Sequence, residues 1–449
     1  MKIQKLMEYH LGAKPKQVRT CEVDLGYEKG RLFVWSEHQD CDPWDADYTS
    51  PQYPLHFSMY GAQGQLLWQK DLGMGVPPGV WFCPFIALDL DGDGVDEIWF
   101  VNNTTHRPFE LRTRVLERLD ALTGETLGTW PFPAINTGLL IMCQAYRYML
   151  IGGYVHGQPV IVMEQGTYEN MYFQCYNADM SLRWERVIEK DEGPRAAHSV
   201  PVMDWNKDGV DEIWFGEHLM SLDTGEDLFC MARDSYFGHS DVVAPFTDFS
   251  TGKRYIFTCR EGANYKGCPR IVMFNEDGTV AWQDVYENPD EGKDGHINGG
   301  FVFLDKTGRR IAVGKHIRPG VQFVYDAVTG EKLEPAMDYF YLRPVDLNGD
   351  GCHEFLRKQR GKPLAVLDTD GTLVVVTGGT MIAVVRNDGM AGEQFLCYYE
   401  QEGIVRLWGD EDAKDSALLL ARHADGFHAF MNKMTGNGYN FESTVDCIG

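Results

Sequence analysis

The sequence predicts an all-β fold, a single β-propeller of seven or eight four-stranded blades occupying residues 1–449, on three observations. One ligand-rich loop recurs three times, each copy running into an apolar strand: Asp89-Leu-Asp91-Gly-Asp93-Gly-Val95-Asp96-Glu97, Asp204-Trp-Asn206-Lys-Asp208-Gly-Val210-Asp211-Glu212 and Asp346-Leu-Asn348-Gly-Asp350-Gly-Cys352-His353-Glu354. The copies lie far apart along the chain, which suits one closed array of repeats better than two or three separate domains. The 48 glycines and 12% aromatic residues, with few long helical periods, fit many short strands and tight turns.

Within each loop, oxygen donors at the first, third, fifth and ninth positions and a backbone carbonyl at the seventh can converge on one hard cation that takes about six to eight oxygens. The predicted ligands are Asp89, Asp91, Asp93, Val95 and Glu97; Asp204, Asn206, Asp208, Val210 and Glu212; and Asp346, Asn348, Asp350, Cys352 and Glu354. The expected ion is calcium, up to three in all. An EF-hand would need a bidentate Glu at the twelfth position between two helices. That position is Phe100, Phe215 and Arg357, and the flanking residues alternate as strands. These are therefore calcium-binding hairpin loops, and their ions are expected to staple hairpins and take no part in chemistry.

With the loops as registration marks, inner strands are expected to start near residues 17, 80, 138, 198, 239, 296, 341 and 380. That count favours eight blades, with seven left open by the weak third and last copies. The copies that start at His239 and His296 keep the strand, turn, strand outline but hold one acid where the loops hold four ligands, so they are not expected to bind calcium. A second hairpin follows each, as in Arg270–Trp282 and Val321–Leu333, centred on Asn/Asp-x-x-Gly turn formers. The first dozen or so residues are expected to complete the last blade by pairing with C-terminal strands. The pair in His423-Ala-Asp-Gly-Phe-His428 reads as an exposed hairpin rather than a metal site.

Composition narrows the function classes. A net charge of -25 has the wrong sign for nucleic acid or an anionic membrane. The first residues lack a run of signal-peptide length, and no apolar stretch is long enough to cross a bilayer. Eleven scattered cysteines include no close Cys-x-x-Cys pair. A monomer in a reducing cytoplasm is the expectation. No Gly-x-Ser-x-Gly elbow, phosphate-binding glycine loop or dinucleotide fingerprint supports serine hydrolysis or nucleotide chemistry.

Blade geometry turns the repeat into a candidate site. The first strand leaves one face, the hairpin turns the chain at the opposite face and the second strand returns, so the start of strand one meets the end of strand two. This predicts that His198 meets His218, His239 meets Arg260 and His296 meets His316 at one mouth. Tyr265 and Arg318 follow close behind, and Asn102, Asn103, His106 and Lys358 reach the rim. Trp44, in the aromatic and acidic segment 35–48, is a candidate for sugar stacking on the same face. Two other readings stay open: repetition alone can propagate a structural histidine, and His198, His218, His239 and His296 could ligate Zn2+.

The run Gly209-Val-Asp211-Glu212-Ile-Trp-Phe-Gly216, followed by Leu219-Met-Ser-Leu-Asp-Thr-Gly225 and Phe237-Gly238-His239-Ser-Asp241, resembles the propeller of rhamnogalacturonan lyases and their relatives, the ulvan lyases and rhamnose-glucuronate lyases. The ending, from Phe427-His428 to Asn437-Gly-Tyr439-Asn440, resembles the closing segment of the rhamnogalacturonan branch. The resemblance implies a polysaccharide lyase that cleaves a rhamnose–uronic acid linkage by β-elimination. The smaller lyases of this group use two histidines about twenty residues apart in one blade, then a tyrosine and arginines. The matching positions are His198, His218, Tyr265, and Arg260 or Arg318. Elimination requires the uronate carboxylate to be neutralised, a base for the C5 proton and an acid for the departing O4. Arg260 and Arg318 suit the carboxylate, His218 and His198 the base and its partner in either order, and Tyr265 the acid. His239, His296 and His316 would shape sugar subsites. The expected partner is an acidic oligosaccharide or polysaccharide, because a local basic mouth counts for more than net charge. The competing function is a non-catalytic calcium propeller that binds carbohydrate or protein.

Overall fold

The computed structural model describes residues 1–41, 51–135, 142–195, 198–261, 270–285, 297–316, 320–359 and 361–440. Their strands form eight antiparallel sheets, seven of four strands and one of three. The arrangement is the expected propeller, with eight blades. The inner strands are Gln17–Asp24, Phe85–Leu88, Tyr148–Val155, Val202–Met203, His239–Asp248, Gly299–Leu304, Leu342–Val345 and Thr380–Val385. Burial follows position. The inner strand Gln17–Asp24 is covered by neighbours on both faces and is buried almost throughout, whereas the outer strand Leu66–Asp71 is half solvated. At the seam, Ile3–His10 pairs with Ile404–Asp410 as the outermost strand of the last blade. No described helix is long and apolar enough to cross a membrane.

Successive blades are joined by a recurring contact. Trp68, Trp184 and Trp282 on outer strands each donate an indole N–H to a carbonyl of the next blade, at Ala121, Leu222 and Ala327. Each indole also packs against the turn glycine of that blade, Gly124, Gly225 or Gly330, which sits at a φ of 73°, 75° or 74°. A Cβ there would come within 2.7 Å of the ring, so glycine serves both the left-handed turn and the close approach.

Four expectations need correction. The second inner strand starts at Phe85 rather than near 80, since Pro84 has no N–H to donate to a ladder. The third inner strand starts at Tyr148 rather than near 138, after the short helix Met142–Ala145, because a brief apolar run reads equally as strand or helix. The fourth starts at Val202 rather than 198 and is only two residues long. The His423 and His428 segment is no exposed hairpin: helix Ala417–Arg422, capped by the Ser416 side chain, precedes helix Phe427–Lys433, and His428 is buried.

The segment that follows runs along the inner strands. The Asn437 amide pairs with both the N–H (2.8 Å) and the carbonyl (2.5 Å) of Leu150. Asn440 accepts from Val200 N–H at 2.7 Å, and Tyr439 N–H donates to the His198 carbonyl at 2.7 Å. The stretch before Val202, which lacks a ladder of its own, is thus held by the C-terminal segment.

Candidate active site

Blades 3, 4 and 5 bring one cluster together. Arg147 immediately precedes the inner strand of blade 3, and Tyr168 follows the end of its second strand, Gln158–Gln165. His198 stands at the mouth end of blade 4 and His239 starts blade 5, where His239 pairs with Glu261 across the ladder. The register slips between Ser240 and Val242, leaving Asp241 as the extra residue of a bulge. Its Oδ1 lies 3.1 Å from His198 Nδ1 and 3.4 Å from His239 Nε2. Glu261 also contacts His239 Nε2. On the other side of the His198 ring, Nε2 meets the Tyr168 hydroxyl at 3.0 Å and Arg147 Nη1 at 3.3 Å. The Arg147 guanidinium lies 4.2 Å from the Trp81 ring centre and 4.8 Å from that of Tyr168. Tyr439 closes the group, its ring centre 5.2 Å from that of His198.

These contacts assign protons. Arginine can only donate, so His198 Nε2 carries the lone pair and Nδ1–H points at Asp241. His198 is then a neutral base held in place by a carboxylate, with a hydroxyl and a guanidinium beside its basic nitrogen. Burial pushes the Tyr168 phenol well above its usual range and Arg147 offsets this only in part, so the hydroxyl stays protonated. Burial would lower His239, but Asp241 and Glu261 outweigh it and raise its pKa to about 9.

Several sequence-predicted residues lie elsewhere. His218 does not end strand two of blade 4; it starts strand three, His218–Ser221. Its ring is fully buried, with Nδ1 3.0 Å from Asp227 Oδ2 and Nε2 2.8 Å from the Pro194 carbonyl, so neither nitrogen is available to substrate. Arg260 does end strand two of blade 5, but its Nε and Nη2 each donate to Glu217 at 2.6 Å, and the pair is buried. The Asn103 amide serves Gly75, Arg107 and Thr113, and Asn102 donates to Glu117, so both brace their own blade. His316 ends its strand fully buried. Tyr265, Arg318, His296 and Trp44 lie outside the described residues.

The rule that selected His198 and His239 selects Arg147 too once the third inner strand starts at Tyr148. Asp241 was not among the predicted site residues; it enters through the bulge between Ser240 and Val242. Tyr168, Trp81 and Tyr439 carry no local signal, since blade-to-blade packing and the C-terminal segment bring them in.

Two donor sets suit metal ions. His198, His239 and Asp241 offer ligand atoms within 4.8 Å of one another, with Glu261 adjoining. Two imidazoles and two carboxylates fit a divalent transition ion such as zinc. In the hairpin loops, the carboxylate oxygens of Asp89, Asp91 and Asp93 also lie within 4.8 Å of one another. Glu97 and Glu212 each accept one loop N–H, from Leu90 and Trp205, Glu354 accepts those of Leu347 and Asn348 and the Asn348 side-chain amide, and Glu212 Oε1 is buried without any partner. That unmatched oxygen, on a carboxyl that feels the charges of Asp208 and Asp204 in the same loop, fits a calcium ligand. The loops differ, however: Arg118 contacts Asp91 and Glu97 in the first, and Arg422 Nη1 lies 3.3 Å from Asp346 in the third.

No protein-family model matches the chain. Among curated proteins it is similar to the rhamnogalacturonan exolyase YesX of Bacillus subtilis (strain 168), 27% identical over 269 residues, which cover 52% of this chain and 42% of that protein. It is also similar to the rhamnogalacturonan endolyase YesW of the same organism, 25% identical over 267 residues, with the same coverage. The match spans less than half the length of these relatives. Among solved structures, the exotype rhamnogalacturonan lyase YesX superposes with a TM-score of 0.80 at 19% identity, over 97% of this chain and 80% of that one. The Bacillus licheniformis rhamnogalacturonan lyase PL11 gives 0.78 at 18% identity, over 98% and 82%. In sequence over half its length, and in fold over nearly all of it, this chain is similar to the rhamnogalacturonan lyases.

Proposed function

We propose that the chain is a carbon–oxygen lyase that cleaves a rhamnose–uronic acid linkage in a rhamnogalacturonan-type saccharide by β-elimination. The observation that carries this reading is the ordered set Asp241, His198, Tyr168 and Arg147, in which one neutral imidazole nitrogen lies beside a protonated phenol and a guanidinium. His198 Nε2 accepts the C5 proton, and Asp241 stabilises the imidazolium that forms. The Tyr168 hydroxyl protonates the leaving O4, and the Arg147 charge stabilises the carboxylate-bearing intermediate from beneath. A divalent ion held by His198 Nδ1, His239, Asp241 and Glu261 would supply positive charge for the substrate carboxylate. It would also make His198 Nε2 a donor rather than an acceptor, so metal analysis of the purified protein bears directly on which nitrogen is basic. Calcium in the hairpin loops is proposed as structural.

The test is ultraviolet absorbance of the unsaturated uronate when the protein is offered rhamnogalacturonan, ulvan and rhamnose-glucuronate oligosaccharides. Product is expected on rhamnogalacturonan, lost in His198→Ala and Tyr168→Phe and kept in His218→Gln. Loss of product in Tyr265→Phe with retention in Tyr168→Phe would move the acid to Tyr265. Binding of these saccharides without any product would replace the lyase by a carbohydrate-binding propeller.

A further inference from the structure

The third hairpin loop, in blade 7, departs from the other two in what reaches its ligand residues. Helix Ala417–Arg422 ends beside it, and the Arg422 side chain, 1% exposed, enters the loop. Nη2 donates to the Gly351 carbonyl at 2.6 Å, and Nη1 lies 3.3 Å from Oδ2 of Asp346, the expected first-position ligand. Glu393 of blade 8 steadies both groups: its Oε1 lies 3.8 Å from Arg422 Nη1, and its Oε2 accepts the Asp346 N–H at 2.8 Å. A buried carboxylate needs a cation or donors nearby, and here a guanidinium supplies the positive charge that an ion would otherwise bring.

Three further features set this loop apart. Its Asn348 amide donates to Glu354 Oε1 at 2.7 Å and to Asp350 Oδ2 at 3.3 Å, so the third, fifth and ninth positions are bonded to one another, whereas the matching Oε1 of Glu212 in the second loop has no partner. Its backbone is also covered. The N–H groups of Lys414 and Ser416 donate to the Asn348 and Gly349 carbonyls, and a Cβ on Gly349 or Gly351 would come within 2.6 Å of the Lys414 carbonyl or 2.7 Å of the Leu418 side chain. Gly349 and Gly351 are buried, while Gly92, Gly94, Lys207 and Gly209 at the same positions of the other loops are exposed. Finally, counting the eighth position, the carboxylates number five in the first loop, four in the second and three in the third, where His353 stands in place of Asp96 and Asp211. Fewer carboxylates beside a fixed guanidinium attract a second cation less. The Arg118 contact in the first loop is of another kind, since Arg118 is 18% and its partner Asp91 44% exposed, and water can replace that contact when an ion enters.

We propose that Arg422 takes the place of calcium in the third loop, so that blade 7 is stapled by an arginine of the C-terminal helices and binds no ion there. The inference rests on reading the hairpin loops as calcium sites and departs from that reading at one of them. Calcium bound per chain, measured by elemental analysis after equilibrium dialysis of the full chain against calcium, tests it together with the melting temperature with and without chelator. Asp208→Asn, at the fifth position of the second loop, is expected to lose one ion per chain. Asp350→Asn, the same change at the same position of the third loop, is expected to keep the wild-type content and the wild-type chelator response. Arg422→Gln, which takes the guanidinium away from Asp346 and Glu393, is expected to bind one ion more than wild type and to lose more of its melting temperature to chelator. An ion lost in Asp350→Asn, or no ion gained in folded Arg422→Gln, overturns the proposal. Should Arg422→Gln fail to fold, the Asp350→Asn content decides alone. Failure of the calcium reading itself would show separately, as an unchanged content in Asp208→Asn.

Discussion

His218 shows how one residue can satisfy a sequence rule and still serve the fold. Burial would lower its pKa from 6.5, but Asp227 and Cys230 outweigh it and raise it to about 9. A raised folded-state pKa means that the stabilisation is complete below pH 6.5 and is lost as pH rises through about 9. Urea midpoints of wild type and His218→Gln should therefore differ most in mild acid, by a few kcal/mol at the order-of-magnitude level, and converge in alkali. A gap that stays constant with pH would refute the ion pair. Glu164 is the opposite case, a fully buried carboxyl with no partner on either oxygen, between Met149 and Phe173 on neighbouring strands. Burial drives its pKa well above 4.5, so the native state prefers the protonated form, and stability declines as pH rises above 4.5. Glu164→Met should raise unfolding free energy at neutral pH by about 1–3 kcal/mol and flatten that slope. An unchanged urea midpoint would mean that solvent already reaches the carboxyl.

At the scale of the element, the Trp–Gly contacts between blades carry a direct expectation. Gly225 combines a left-handed φ with a 2.6 Å approach of its notional Cβ to Trp184. Gly225→Ala should cost about 1–3 kcal/mol, read as a lower melting temperature, and Trp184→Ala/Gly225→Ala should cost less than the sum of its single changes because the clash is gone. Strict additivity would argue against the contact. The outline of the blades was legible because alternating apolar residues and Asn/Asp-x-x-Gly turns are local signals. The start of the third inner strand and the helices around His423 and His428 were not, since a short apolar run fits either structure and Gly426 mimics a hairpin turn while starting a helix at a φ of 80°. The same limit explains the site: His198 and His239 follow from the blade repeat, whereas Asp241 comes in through a bulge and Tyr168 and Tyr439 through loops and the C-terminal segment.

Across the whole molecule, stability should depend on calcium. Ions that bind only the folded loops stabilise by mass action, about 2.7 kcal/mol per site at a hundredfold excess over Kd. A calcium chelator should lower the melting temperature, calcium should restore it, and Glu212→Gln should shrink the response by removing the unpaired oxygen in the second loop. A melting temperature indifferent to chelator would leave the loops as hydrogen-bonded turns. The repeat of hairpin loops, the all-β class and the lyase resemblance were settled by sequence, because each resides in residues a few positions apart whose spacing is set by strand and turn geometry. Tertiary structure alone decided between seven and eight blades, the register of the Ile3–His10 closure, the engagement of His218 and Arg260 in buried pairs, and the entry of Arg147, Tyr168 and Tyr439. Those outcomes depend on where the ring brings distant segments together and on which buried charges find partners there, and neither is encoded in local periodicity.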